Sequence, residues 1–286
     1  MFRACAIVEQ AHVDVLPSPL LSSVIDGCLE RGIDVTAGGA RYNLSGIQAI
    51  QVANVADSLA ALEHGVFAGG IDRAALLAAL RADFQGHDAL RQRLVNKLPK
   101  FGNDDVRADA HGARWARWFA ERLSERKNPR GGAYHMGLYT VSAHVPMGKN
   151  VGATPDGRRA REPLADGGCS PMYGRDRHGP TAVLNSVARL PFDVAGNGTL
   201  LNLKFLPDFF ATQADLENFA RFLRLFVRRG IHHAQFNVVR RADLEAARAR
   251  PEEWRHLTIR VAGYTAYFTE LAGDLQAEII ARTEHG

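Results

Sequence analysis

The residues best able to carry chemistry lie towards the C-terminal end. Residues 258–268 form a strand-like run, Thr258-Ile259-Arg260-Val261-Ala262-Gly263-Tyr264-Thr265-Ala266-Tyr267-Phe268, with one glycine at its centre. A glycine inside a strand usually marks a bulge or a close backbone approach. A second run, 138–144, also reads as a strand. Its period of two puts Ser142 and His144 on one face and Tyr139 with Val141 on the other. On their own, such polar groups read as hydrogen-bonded core residues. His232-His233 invites a metal reading, but adjacent strand residues point to opposite faces, so one ion cannot easily take both. Asp156-Gly157-Arg158 reads as a turn without chemistry. Cys5, Cys28 and Cys169 are an odd number at wide spacing, which argues against a disulfide framework or a zinc site. That usage fits a reducing cytoplasm, and no metal is expected.

Two textures of chain must position these residues. Up to about residue 126 the pattern is mostly helical. Residues 17–31 read as a helix with Ser18 as cap, Pro19 in the first turn and Gly32 as stop. Further helices are expected over 48–64, from the cap Asp72 to about 83, over 88–98 and over 104–126. Beyond Asn128-Pro129, strand-like runs at 138–144, 200–205, 232–239 and 258–268 alternate with helical stretches at 181–190, 213–228, 242–249 and 274–283. That alternation predicts an α/β layer or barrel. Turn chemistry over 153–168 makes it the candidate boundary.

Composition narrows the function classes. The 286 residues are 46% hydrophobic and 23% charged, which is ordinary for a globular chain with a sizeable core. The net charge of +4 is spread as arginines among acids, without long runs of one sign, so nucleic-acid binding has little support. No apolar run approaches the ~20 residues that cross a bilayer. Residues 1–10 lack the pattern of a signal peptide, so a cytoplasmic protein is expected.

Arg260-Val261-Ala262-Gly263-Tyr264, Phe268 and the terminal Ile280-Ala281-Arg282-Thr283 together resemble the signature of the glycyl radical enzymes. This is the family of pyruvate formate-lyase, glycerol dehydratase and choline trimethylamine-lyase. The resemblance extends to Gly38-Gly39-Ala40-Arg41-Tyr42-Asn43, Pro99-Lys100-Phe101-Gly102-Asn103-Asp104, Ser142-Ala143-His144-Val145-Pro146, Ala153-Thr154-Pro155-Asp156-Gly157-Arg158 and Glu162-Pro163-Leu164-Ala165, and so runs from about residue 17 to the end. It implies that Gly263 holds a Cα radical, with Arg260, Val261, Ala262 and Tyr264 around it. It also implies that Tyr139, Ser142 and His144 border a substrate cavity. A glycine suits a planar radical centre because no Cβ crowds it. Shielding from oxygen implies a loop buried against Val261, Tyr264 and Phe268.

The implied fold is the second half of a ten-stranded α/β barrel with helices outside and the radical loop near the C-terminus. Residues 1–154 would form the end of the pyruvate formate-lyase-type domain, and 161–286 the glycine radical domain. No cofactor is bound; an activating enzyme using S-adenosylmethionine and an iron–sulfur cluster makes the radical.

Complete members of the family pass the radical to a cysteine in a Gly-Cys-Val-Glu loop in their first half. Gly27-Cys28-Leu29-Glu30 imitates that loop, but it lies in a helical run ahead of the Gly-rich segment and reads as structural. The expected partners are the activating enzyme and a separate N-terminal half or homologous subunit, with neither nucleic acid nor membrane. The competing expectations are a radical carrier that restores a damaged pyruvate formate-lyase, and an inert remnant. As an isolated half barrel the chain is expected to expose apolar surface and to be poorly soluble. The branch looks dehydratase-like, from Asn197-Gly198-Thr199-Leu200-Leu201-Asn202 and Gln235-Phe236-Asn237-Val238-Val239.

Overall fold

The computed structural model of the protein describes residues 1–285; Gly286, the last residue of the expected 161–286 domain, lies outside them. The first part runs α1 (Phe2–Val15), α2 (Pro19–Ser22), α3 (Cys28–Arg31), β1 (Ser45–Gln48), α4 (Val52–Ala60), α5 (Arg73–Arg81), α6 (Asp88–Asn96), α7 (Val106–Ser124) and β2 (Tyr134–Gly137). A π-helix, Ala61–Phe67, extends α4. The second part runs α8 (His144–Lys149), α9 (Gly179–Val187), β3 (Leu201–Phe205), α10 (Gln213–Arg228), β4 (Ala234–Val238), α11 (Arg241–Ala249), β5 (Thr258–Arg260), β6 (Thr265–Tyr267), α12 (Gly273–Ala281) and β7 (Glu284–His285).

The sheet is a parallel arc. β1 pairs with β2, and β3 pairs with β4 along its length and with β7 at its far end, all in parallel. A parallel bridge between Leu138 and Thr199 joins the two sets. Parallel strands need helical crossovers, which cover them and bury them on both faces. β3 accordingly is buried at all five positions. This is the α/β arrangement with outer helices expected from the sequence. Two polar residues, Asn202 and Lys204, nevertheless sit within β3.

Two packing features hold the arc. Phe205 lies at ring distances of 4.8 Å from Phe209, 5.7 Å from Phe219 and 5.8 Å from Phe222, docking α10 on β3. The Gly167-Gly168 turn runs against the end of β2. Gly168 has φ +106°, and a Cβ there would come within 2.3 Å of the Leu138 carbonyl, so both torsion and space demand glycine.

Several expectations need correction. Residues 17–31 are not one helix. Gly27 at φ +95° splits them into α2 and α3, although Gly32 does stop the second. Residues 48–64 hold the end of β1, then α4 and part of the π-helix. The run 138–144 is not a strand: β2 ends at Gly137, Val141 turns the chain at φ +52°, and His144 opens α8. Ser142 and His144 therefore share no strand face. Residues 258–268 are likewise not one strand but an antiparallel hairpin, β5–β6, with Arg260 opposite Thr265.

Candidate functional site

The β5–β6 turn carries Val261, Ala262, Gly263 and Tyr264. Val261 N donates to Tyr264 O at 2.9 Å and closes it. Gly263 sits at the tip with φ +90°, where an added Cβ would meet nothing within 4 Å. The requirement for glycine is therefore one of backbone torsion and not of room. Val261 and Ala262 are fully buried, Tyr264 is half-buried, and Gly263 itself is exposed. The expected burial of the glycine thus fails in this chain. The reversal at the turn carries the tip away from the core that covers Ile259, Val261 and Phe268.

Three side chains fix the base of the hairpin. Asn237 on β4 donates to Arg260 O at 2.8 Å and accepts from Arg260 N at 2.9 Å, replacing a strand pair with one amide. Asn202 on β3 donates to Val261 O at 3.1 Å, and the Arg282 guanidinium donates to the same carbonyl at 3.0 Å. Arg260 spans the hairpin to Thr265 Oγ1 at 3.0 Å.

Arg282 is held in turn by buried carboxylates. It donates to Glu278 in a two-pronged pair at 3.0 and 2.9 Å and lies 3.6 Å from Asp166. Asp166 accepts from Asn202 at 2.7 Å. His144 Nε2 lies 3.1 Å from Glu278 Oε2, yet neither ring nitrogen has a well-aligned hydrogen bond, so the contact is one of proximity. Burial pushes the Glu278 carboxyl up, but Arg282 and the neighbouring His144 outweigh it and hold it at about 2. Burial alone would weaken the Arg282 charge; the Glu278 and Asp166 carboxylates reverse that and strengthen it. A fully buried ion pair of this kind is maintained by complete hydrogen bonding.

Of the three cavity residues expected from the sequence, only His144 joins this network. Tyr139 packs beside Gly198, and Ser142 O accepts from Val145 N in the turn into α8. A 270 Å³ cleft next to Glu278 is lined by Val145, Arg161, Pro163 and Tyr173, and by none of Tyr139, Ser142 and His144. The roles of Asn202, Asn237, Glu278 and Asp166 were not read from the sequence. Their signal was present, since asparagine is disfavoured in strand interiors and both asparagines lie in apolar strand runs. Elsewhere, Glu63, His64 and His111 bring ligand atoms within 4.8 Å of one another, with His111 Nε2 2.7 Å from Glu63.

The geometry thus presents a glycine Cα from outside while its N-terminal flank is clamped to the sheet. A family model described as pyruvate formate lyase-like matches residues 1–148, and one described as glycine radical matches residues 165–269. The chain belongs to the glycyl radical enzyme family.

Its relatives include dehydratases. The Escherichia coli (strain K12) protein named "Probable dehydratase YbiW" is 44% identical over 278 residues, covering 93% of this chain and 34% of that protein. The trans-4-hydroxy-L-proline dehydratase of Clostridioides difficile is 38% identical, covering 98% of this chain and 35% of its own length. The glycerol-bound B12-independent glycerol dehydratase from Clostridium butyricum superposes with a TM-score of 0.93 at 41% identity, covering 98% of this chain and 36% of that one. The chain spans about a third of the length of the curated relatives it matches. No helix among the described residues is long and apolar enough to cross a membrane.

Proposed function

We propose that the chain is the C-terminal, radical-storing portion of a dehydratase or lyase of the glycyl radical type, with the radical on Gly263. A partner activating enzyme, using S-adenosylmethionine and an iron–sulfur cluster in an anaerobic cytoplasm, removes one Cα hydrogen atom. The remaining electron is shared between the flanking amide nitrogen and carbonyl. The observation that carries this reading is Gly263 itself: at φ +90°, free of neighbours at its tip and tied through Val261 O to Asn202 and Arg282. Arg260, Val261, Ala262 and Tyr264 frame the centre. His144 acts on it indirectly, through Glu278 and Arg282.

The stored radical would pass to a thiol in a segment outside these residues. Cys28 and Cys169 are buried, and burial pushes the Cys169 thiol up to about 12. Neither takes part in anchoring the hairpin. In this reading residues 1–154 frame the barrel and 161–286 carry the radical; Tyr139 and Ser142 border the substrate only in the assembled enzyme.

Anaerobic incubation with an activating enzyme and S-adenosylmethionine tests it by electron paramagnetic resonance. A carbon-centred doublet is expected, lost in Gly263→Ala, and air should cleave the chain at Gly263. A doublet that survives Gly263→Ala, or oxygen cleavage mapped elsewhere, overturns the assignment.

A further inference from the structure

A second polar site lies away from the hairpin, between the end of α6 and the start of α9. It is a cleft of about 150 Å³. Five of its lining side chains are basic, Lys97, Lys100, Arg107, Arg175 and Arg177, with burial lowering the pKa of Lys100 and Arg175, and one, Asp105, is acidic. Asp105 is already committed, since Arg107 grips it through Nε at 3.0 Å and NH2 at 2.7 Å.

The innermost cations are unusual in their burial. Arg175 is 8% exposed and Lys100 6%. Lys100 spends one donor on Leu94 O at 2.8 Å, quieting the end of α6. Arg175 Nε, by contrast, has no hydrogen-bond partner. That nitrogen is sealed from solvent, so what the cleft meets is the charge of a buried guanidinium, which is costly without a counter-charge nearby. The carboxylates behind it, Asp57 and Asp156, do not line the cleft. They are also shared with Lys100 and Arg158, and burial raises Asp57 to about 7, so it is only partly charged at neutral pH. At the rim, Arg177 binds Asn96 Oδ1 through NH2 at 2.6 Å, which aligns it with the opening.

We propose that this cleft binds a small oxyanion of the phosphate class, with Arg175 as its floor and Arg177 and Lys97 as its rim. A tetrahedral oxyanion offers acceptors on several sides, and a guanidinium fork meets two of them at once. The site does not depend on the radical chemistry.

Isothermal titration of the 286-residue chain at fixed ionic strength tests the proposal, with inorganic phosphate in one arm and methyl phosphate in the other. Saturable binding is expected in at least one arm. Arg177→Gln and Lys97→Gln alter rim residues without disturbing the interior, and each should weaken it by about tenfold, ~1.4 kcal/mol. Arg175→Gln should abolish it. Arg221→Gln, on the exposed face of α10, removes a charge elsewhere and should leave it unchanged. Much tighter binding of methyl phosphate identifies a phosphorylated small molecule; equal affinity identifies the free anion. The absence of saturable binding in both arms overturns the site. So does a loss that is the same in Arg221→Gln as in the rim variants.

Discussion

Arg282 is the residue on which the hairpin's position depends most. It serves two buried acids and one backbone carbonyl at once. Arg282→Met leaves Glu278 buried without its partner, and breaking such a pair costs about 3–5 kcal/mol. Chemical denaturation should show that loss, whereas Gly263→Ala should cost only about 1 kcal/mol, because its strain is torsional and nothing is displaced. The acid limb follows from Glu278. Its folded value lies below the unfolded one, so its contribution is present above about pH 4.3 and is lost as pH falls through 2.

Asp57 behaves oppositely. Burial raises it to about 7, although Lys100 opposes this. The folded chain therefore holds a proton that the unfolded chain releases. Its contribution is complete below about pH 4 and is lost as pH rises through 7. Asp57→Asn can still accept from Phe101 N, which Asp57 now does at 2.7 Å. It should flatten the decline in stability between pH 4 and pH 8 by on the order of 4 kcal/mol, measured as melting temperature against pH.

At the scale of elements, legibility followed how local the cause was. α10 was readable as the helical stretch 213–228 from its local apolar spacing, and the structure adds a reciprocal capping box between Thr212 and Asp215. The cap of α5 by Asp72 was equally plain. The run 138–144 misled because Val141 adopts a positive φ that no β-branched residue advertises. In the candidate site, the glycine-centred run 258–268 stood out in the sequence, but Asn202 and Asn237 acquire meaning only when β3 and β4 lie beside the hairpin. The same docking makes Phe205 the pivot between α10 and the sheet. Phe205→Ala should cost about 3–5 kcal/mol by denaturant titration. The loss should exceed that of Thr212→Ala, about 1 kcal/mol.

At the scale of the whole molecule, the chain leaves apolar groups in solvent on the α2–α3 segment, where Leu20 is 85%, Val24 75% and Leu29 70% exposed. Three such residues within ten positions exceed the scattered exposure normal for a surface. Sedimentation velocity should therefore show self-association of the isolated chain, reversed when a complementary N-terminal half is added. A monodisperse, cooperatively melting monomer would count against it.

The pairing pattern also has a consequence in time. Every rung of the arc joins distant segments, as Ser45 with Tyr134 or Lys204 with Glu284, while the only antiparallel strand pair among the described strands is β5–β6. Long loops must close before the parallel rungs can form, which makes their assembly slow. A hairpin can zip in roughly 1–10 μs. The segment bearing Gly263 is thus the earliest β structure the chain can make, and it waits, already shaped, for the sheet to which it will be fastened. Pulse-labelled amide exchange during refolding should show protection at Ile259 before protection at Leu203.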